Sequence, residues 1–296
     1  MKLLVTGSRG QLGRALERTA PLHGCEFYGY DLPELDITDR SAVAALARTV
    51  LPDVIVNCAA FTGVDAAESH EEEALAVNGT AVAHLAETAN EVGAVLVQIS
   101  TDYVFDGRDE RPRREDDSTN PLSAYGRTKL AGEHAAASAR AHLIVRTAWL
   151  FGEGGANFVE AIRRQLAAGS RCLRVVADQH GSPTYAGDLA ATVLHLVELS
   201  ARGLVHAVNA GSTTWLGFAG EIVRQLAAAV EVEPISTQTA ARPAPRPQFS
   251  VLDTTRLTGL LGAPLPPWQD ALSRYLARTP SQAAQDQKPG FAGTLG

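Results

Sequence analysis

The first thirteen residues constrain the fold more than any other stretch of this chain. Lys2–Thr6 reads Lys-Leu-Leu-Val-Thr, a short aliphatic run with the profile of a parallel strand buried on both faces. It leads straight into Gly7-Ser-Arg-Gly-Gln-Leu-Gly13, and residues 14–19 have helical character. Strand, glycine turn and helix in that order give a G-x-x-G-x-x-G variant of the dinucleotide-binding fingerprint. Gly7 permits the tight turn, and Gly10 lets the backbone approach a pyrophosphate. Gly13 lets the helix pack closely, with phosphates at the helix N-terminus. Arg9, Gln11 and Leu12 stand between the glycines and join them as candidate cofactor contacts.

Strand-like and helical segments alternate through the first 150 residues. Glu26–Tyr30 is the second strand and ends in Asp31, placed to accept hydrogen bonds from the hydroxyls of an adenosine ribose. Leu35-Asp-Ile-Thr-Asp39 sets Asp36 and Ile37 to meet the adenine. Val54–Asn57 is the next strand, and it ends in small residues, Ala59 and Ala60, where a cofactor could pass. A helix is expected over residues 71–92, with Asn78 inside it. Asparagine is a mediocre helix former, so either a buried polar role or a satisfied core amide fits. Residues 95–99 form a buried strand that runs into a loop presenting Ser100 and Thr101.

Such alternation predicts an α/β fold of Rossmann type, a doubly wound parallel sheet, with a smaller C-terminal substrate-binding region. Residues 1–150 would form the dinucleotide-binding domain, with parts of the later chain returning to it. Residues 151–278 would be mainly substrate-binding, and residues 279–296, polar and without periodicity, a disordered tail. In that later part, helices are expected over 157–168, 186–199 and 216–230, and strands over 173–176 and 205–209. A proline-rich segment follows at 242–247.

Ser123-Ala-Tyr-Gly-Arg-Thr-Lys-Leu130 opens a helix and puts Tyr125 and Lys129 one turn apart on one face. An ammonium beside a phenol favours its ionised form, and a hydroxyl such as that of Thr101 could hold a substrate oxygen against it. This is equipment for moving a proton to or from a carbonyl. The formal net charge of -7 offers no basic stripe, which argues against nucleic acid as a partner. Three cysteines without paired spacing argue against a disulfide framework or a zinc site. With no signal peptide and no apolar run of bilayer length, the expected location is cytoplasmic, away from membranes.

Taken together, the glycine set, Asn57-Cys-Ala-Ala60, the Ser/Thr pair and Tyr125-x-x-x-Lys129 resemble the extended short-chain dehydrogenase/reductase family. Within it, Phe61-Thr-Gly-Val-Asp-Ala-Ala-Glu68, Ser100-Thr-Asp-Tyr-Val-Phe-Asp-Gly107, Arg146-Thr-Ala-Trp149, Asp178-Gln-His-Gly-Ser-Pro-Thr184 and Ser250-Val-Leu-Asp-Thr-Thr255 are similar to the dTDP-4-dehydrorhamnose reductases. The similarity runs collinearly over residues 1–278. It implies reduction of the 4-keto group of dTDP-4-dehydro-L-rhamnose by NADPH or NADH, with Thr101, Tyr125 and Lys129 as the catalytic group. It also implies Thr62, Val64 and Tyr103 near the substrate and Trp149 in the sugar pocket. Arg246, with Arg242 as competitor, is the candidate for the diphosphate because a guanidinium pairs with phosphate oxygens.

Some members of the family form dimers bridged by magnesium through glutamates. The corresponding positions here are Ala15 and Gly187, so no metal site is expected and any homodimer would do without that bridge. Asp31 favours NADH by repelling a 2′-phosphate, whereas Arg9 could reach one and permit NADPH. Two alternatives stay open: a ketoreductase or epimerase for another nucleotide deoxysugar, and a non-catalytic dinucleotide-binding regulatory subunit.

Overall fold

A computed structural model describes residues 1–277, and the tail expected over 279–296 lies outside the described residues. The chain opens with β1 (Lys2–Thr6), α1 (Gln11–Thr19), β2 (Glu26–Tyr30), α2 (Arg40–Val50) and β3 (Val54–Asn57). Two short helices follow, α3 (Val64–Ala67) and α4 (Glu71–Leu75), and α4 continues through a π-helical turn at Ala76–Thr80 into α5 (Ala81–Val92). β4 (Val95–Thr101), α6 (Ala124–Ala136) and β5 (His142–Thr147) complete the regular alternation.

The later chain is built of shorter pieces. They are β6 (Leu150–Phe151), α7 (Phe158–Ala167), β7 (Cys172–Val176), β8 (His180–Gly181), β9 (Thr184–Tyr185) and α8 (Ala186–Glu198). Then come β10 (Gly203–His206), β11 (Thr213–Thr214), α9 (Trp215–Gln225), β12 (Glu231–Ile235), α10 (Thr237–Ala240), α11 (Thr255–Leu261) and α12 (Trp268–Leu276).

Six strands make one parallel sheet in the order β10-β5-β4-β3-β1-β2. The chain leaves β1 for β2 on one side and then crosses to β3 on the other. That reversal opens a crevice at the carboxyl ends of β1 and β3, where ligands bind in open α/β sheets. Aliphatic side chains of β1, β3 and β5 pack against α1 and α8 on one face of the sheet. Those of β1, β3 and β4 facing the other way pack against α2 and α5. A separate apolar core, with Phe151, Phe218 and Trp268 at its centre, holds the later elements together.

A buried polar chain crosses the middle of the sheet. Thr6 donates to Asn57 at 2.6 Å, Asn57 to Gln98 at 2.8 Å, and Gln98 to the Ile99 carbonyl at 2.9 Å. With the three side chains about fully buried, each bond removes a desolvation penalty that an unpartnered group would carry.

Several expectations need correcting. β4 does not stop at residue 99 but runs through Thr101. The helix expected over 71–92 carries the π turn, with Asn78 in it. The helix expected over 216–230 ends at Gln225. Ala227 takes a left-handed conformation, and the chain then pairs as β12 alongside β7. The strand expected over 205–209 lies at Gly203–His206, where it joins the edge of the main sheet.

Candidate active site

The cofactor side is built from backbone. Gly7 has φ 65°, and a Cβ there would lie 2.5 Å from the Ala59 nitrogen, so β1 and β3 approach as closely as glycine allows. A Cβ on Gly13 would meet the Gly7 oxygen and Ser8 Cα at 2.5 Å, so α1 packs directly on its own turn. Gly10 is the N-cap of α1, in extended conformation and without a side-chain cap. The first-turn amides of Gln11, Leu12 and Gly13 therefore sit at the positive end of the helix with nothing on Gly10 to cover them. Leu12 is a core residue, so only its backbone can serve a ligand. The Gln11 side chain reaches the later chain instead, donating to the Ala156 carbonyl at 3.4 Å.

Asp31 stands where β2 ends. Its carboxylate accepts from the amides of Arg9 (2.9 Å) and Leu32 (2.8 Å), which locks it against the glycine turn. The Arg9 guanidinium lies alongside, donating to the Leu32 carbonyl and to Glu34, each at 2.5 Å. Asp36 and Ile37 are the residues expected at the adenine. Asp36 closes a local turn by accepting from Thr38 nitrogen and hydroxyl, and Ile37 packs in the core beside Leu35 and Val43. Ala59 and Ala60 are partly exposed at the end of β3, as a close passage requires.

The catalytic side is built from side chains. Ser123 caps α6 by accepting from the Gly126 amide at 3.1 Å. A Cβ on Gly126 would run into the Tyr103 carbonyl, and one on Gly132 into the Asn78 carbonyl, so α6 seats tightly against both neighbours. That seating brings Tyr125 close enough to Thr101 for the hydroxyl to act on its phenol. Asn78 proves to be a clamp. Its amide accepts from the Phe61 nitrogen at 2.9 Å and donates to the Phe61 carbonyl and to Thr128, both at 3.1 Å. The loop carrying Thr62 and Val64 is thereby tied to α6.

Of the two hydroxyls at the end of β4, only Thr101 belongs to the site. Ser100 donates to Glu133 at 2.5 Å, and Glu133 pairs with Arg146 through bonds of 2.8 and 2.7 Å, all of it buried. Lys129 is also buried, and its ammonium donates to the Ile99 carbonyl at 2.7 Å. Burial pulls the lysine down to about 8, against the opposing pull of Glu133. The phenol of Tyr125 was expected to be made acidic by Lys129. Instead it is raised well above its ordinary value, by burial first and then by the negative charge of Asp102, with the Thr101 hydrogen bond opposing. The tyrosine thus stays protonated at neutral pH.

On the substrate side, Thr62 is exposed and Val64 begins α3. Tyr103 stands edge-on to Tyr125, ring centroids 5.5 Å apart, and burial raises its phenol to about 12 although Arg246 works against that shift. Arg246 was expected on a diphosphate, but here its guanidinium makes a two-pronged pair with Asp65 at 3.0 and 3.1 Å. Asp65 also accepts from the Ala244 amide at 3.1 Å and faces Arg242 at 3.5 Å. One carboxylate therefore straps the loop after β3 to the proline-rich segment.

Trp149 was expected to line the sugar pocket, and the structure covers both its faces. Trp215 lies parallel on one at 3.6 Å. A Cβ on Gly181 would fall closest to Cε2, the recessed junction atom, which puts the Gly181 backbone over the other face. Trp215 is held in turn by Gln179, which accepts from its indole nitrogen at 3.1 Å. Sequence reasoning did not single out Asp65, Asp102, Gln179 or Trp215. The run Ser-Thr-Asp, an acid directly after the catalytic hydroxyl, was the one available signal.

The family described as the RmlD substrate binding domain matches residues 1–280. The dTDP-4-dehydrorhamnose reductase of Streptomyces griseus is 45% identical over 278 residues, covering 91% of this chain and 91% of that one. The chain belongs to the dTDP-4-dehydrorhamnose reductase family. The crystal structure of the family member from Bacillus anthracis, in complex with NADP, is similar at 36% identity and a TM-score of 0.90, over 94% of this chain and 99% of that one. A probable dTDP-4,6-dihydroxy-2-methyloxan-3-one 4-ketoreductase of Streptomyces antibioticus is 42% identical over 276 residues, or 92% of this chain and 93% of that one.

The magnesium bridge implied for some dTDP-4-dehydrorhamnose reductases does not fit these residues. Ala15 is buried where α1 packs on α8, Gly187 lies in the first turn of α8, and neither has a side-chain oxygen. Among the described residues there is no group of three or more His, Cys, Asp or Glu that could hold a metal. Nor, among them, is any helix long and apolar enough to cross a membrane.

Proposed function

We propose that this protein reduces the 4-keto group of dTDP-4-dehydro-L-rhamnose with NADPH or NADH, giving dTDP-L-rhamnose. The observation that carries this reading is the convergence of Thr101, Tyr125 and Lys129 at the carboxyl end of β4, beside the glycine cradle at the switch point. In it the first-turn amides of α1 face the pyrophosphate, Asp31 the adenosine ribose and Lys129 the nicotinamide ribose. A reduced nicotinamide, when bound, supplies the hydride. Tyr125 gives its proton to the carbonyl oxygen as negative charge builds there, which is why a phenol held protonated suits reduction. Thr101 donates a hydrogen bond to the same oxygen, and such a donor is worth roughly 2.7–4 kcal/mol to the transition state.

Residues 1–150, with β10 and α8 returning to them, serve the dinucleotide in this reading, and the later elements serve mainly the sugar nucleotide. Thr62, Val64 and Tyr103 line the sugar. Trp149 and Arg246 shape the pocket through Trp215 and Asp65. Nucleic acid has no part in the reading, and any dimer forms without a magnesium bridge.

A second reading, reduction of a different dTDP-4-keto sugar, is favoured by the similarity to the Streptomyces antibioticus ketoreductase. Oxidation of NADPH and NADH with a panel of dTDP-4-keto sugars, with product stereochemistry read by NMR, separates the two. Turnover of dTDP-4-dehydro-L-rhamnose to the L-rhamnose product is expected. Turnover confined to another sugar would replace the first reading with the second, and none with any sugar would remove both.

A further inference from the structure

Thr101 has one hydroxyl proton, and the structure shows where it goes: to Asp102 Oδ1, at 3.1 Å. Its oxygen meanwhile accepts from the Tyr103 amide at 3.3 Å. A hydroxyl that donates to a carboxylate cannot also donate to a substrate oxygen.

The carboxylate it serves is buried. Asp102 is 1% exposed, and its Oδ2 has no hydrogen-bond partner. The Ser250 hydroxyl, which reaches the His180 carbonyl at 3.4 Å, and the amides of Asp102 and Tyr103 also favour its charged form, but burial outweighs them. The phenols of Tyr103, on the same turn, and Tyr125, on α6, both feel the Asp102 charge. Arg246, the nearby cation on the C-terminal segment, acts on Tyr103. A dry carboxyl group with an idle oxygen sits more easily in its neutral form.

We propose that Asp102 is a positioning residue for the reduction, setting by its protonation whether the Thr101 hydroxyl proton points away from the sugar carbonyl or toward it. As a carboxylate it draws the proton to itself. As a neutral acid it donates to the Thr101 oxygen, and the threonine proton is released to the substrate. The inference rests on the reading of Thr101 as a donor to that carbonyl. Burial places the Asp102 transition at about 6, so the arrangement changes hands just below neutral pH. The donor-competent form is the protonated one, so kcat should fall as pH rises through that value.

The test is the pH dependence of kcat and KM for the keto sugar in the wild type, Asp102→Asn and Thr101→Val. Asparagine is close in shape, carries no charge and can donate from Nδ2 as the neutral acid does. Asp102→Asn should keep the wild-type acid-side kcat and lose the fall near pH 6, with KM little changed. Asp102→Ala, unable to donate, should lower kcat about tenfold or more at every pH; tenfold corresponds to about 1.4 kcal/mol, within the range of one hydrogen bond to a charged group. A wild-type profile flat between pH 5 and 8, or an Asp102→Asn profile that keeps the fall, overturns the proposal even if Thr101→Val is crippled. If Thr101→Val itself turns over normally, the assignment of Thr101 as donor is what has failed. Should Asp102→Asn not fold, the wild type against Thr101→Val still decides, because only the former should show the fall.

Discussion

The two halves of the site are made in different ways. The dinucleotide cradle is backbone: Gly7 pressed on Ala59, Gly13 pressed on Ser8, and an uncapped helix start at Gly10. The catalytic corner is side chain: Thr101, Tyr125, Asp102 and Lys129, each buried or partly buried, and each set by a specific partner. A backbone cradle tolerates change in what is attached to it but not in where it runs. A side-chain corner tolerates shifts of backbone poorly and is also altered by a single proton. The contrast predicts a clean separation of binding from chemistry, and each substitution below probes one half.

The largest structural effect should come from Gly7→Ala. The positive φ alone costs about 1–3 kcal/mol for a non-glycine residue, before the clash with Ala59 is counted. Dinucleotide affinity, measured by fluorescence titration, should fall at least about tenfold as the crevice is forced open, the factor that about 1.4 kcal/mol represents. Retained affinity would mean that the glycine turn does not form the cradle.

Asp102→Asn should behave differently on the stability scale. The carboxyl group is raised from 3.8 to about 6, so the fold favours its neutral form. No penalty exists below the ordinary value; it builds as pH rises toward 6 and stays constant above. The asparagine variant should therefore match the wild type in stability at pH 4 and exceed it at pH 8, by up to about 3 kcal/mol. Denaturant unfolding at both pH values checks this, and an equal difference at both would show that the carboxyl group is not titrating there.

Smaller effects are expected at the ribose. Asp31→Ala should move the kcat/KM ratio toward NADPH by removing repulsion of a 2′-phosphate, and Arg9→Ala should move it toward NADH, each several-fold. The two residues touch in the structure, through the Arg9 amide and the Asp31 carboxylate. Because the two shifts oppose each other, the double variant should bring the ratio back toward that of the wild type. EDTA should have the smallest effect of all, leaving activity and solution mass unchanged, because Ala15 and Gly187 offer a cation nothing. Activity lost in EDTA and restored by magnesium would reveal ligands elsewhere.

How much could be seen beforehand follows the same division. Gly7, Gly10 and Gly13 announce themselves because a backbone site needs glycine at fixed spacing within one strand, turn and helix. Tyr125 and Lys129 are legible because a helix fixes their separation. Arg246 was legible as a cation but not as a partner of Asp65, which is 181 residues away. Trp149 was visible as an aromatic residue, but nothing local shows that Trp215 and Gly181 cover its faces. β12 was missed because Glu-Val-Glu-Pro-Ile has no apolar run, and it forms only because β7 offers it an edge. The local partners of Asp36 and Ile37 were illegible for a related reason. A turn that caps itself and a side chain that finds the core are decided by packing, not by position after a strand.

The most direct test of the proposed chemistry is Tyr125→Phe, assayed by single-turnover oxidation of bound NADPH with dTDP-4-dehydro-L-rhamnose alongside titration of the cofactor. Losing the proton donor should slow the reduction by about 10²–10⁴-fold, the contribution of a positioned general acid. The dissociation constant of the dinucleotide should stay within about twofold of the wild type, since the backbone cradle is untouched. Near-normal reduction by the phenylalanine variant, with cofactor binding intact, would contradict the assignment of the catalytic corner.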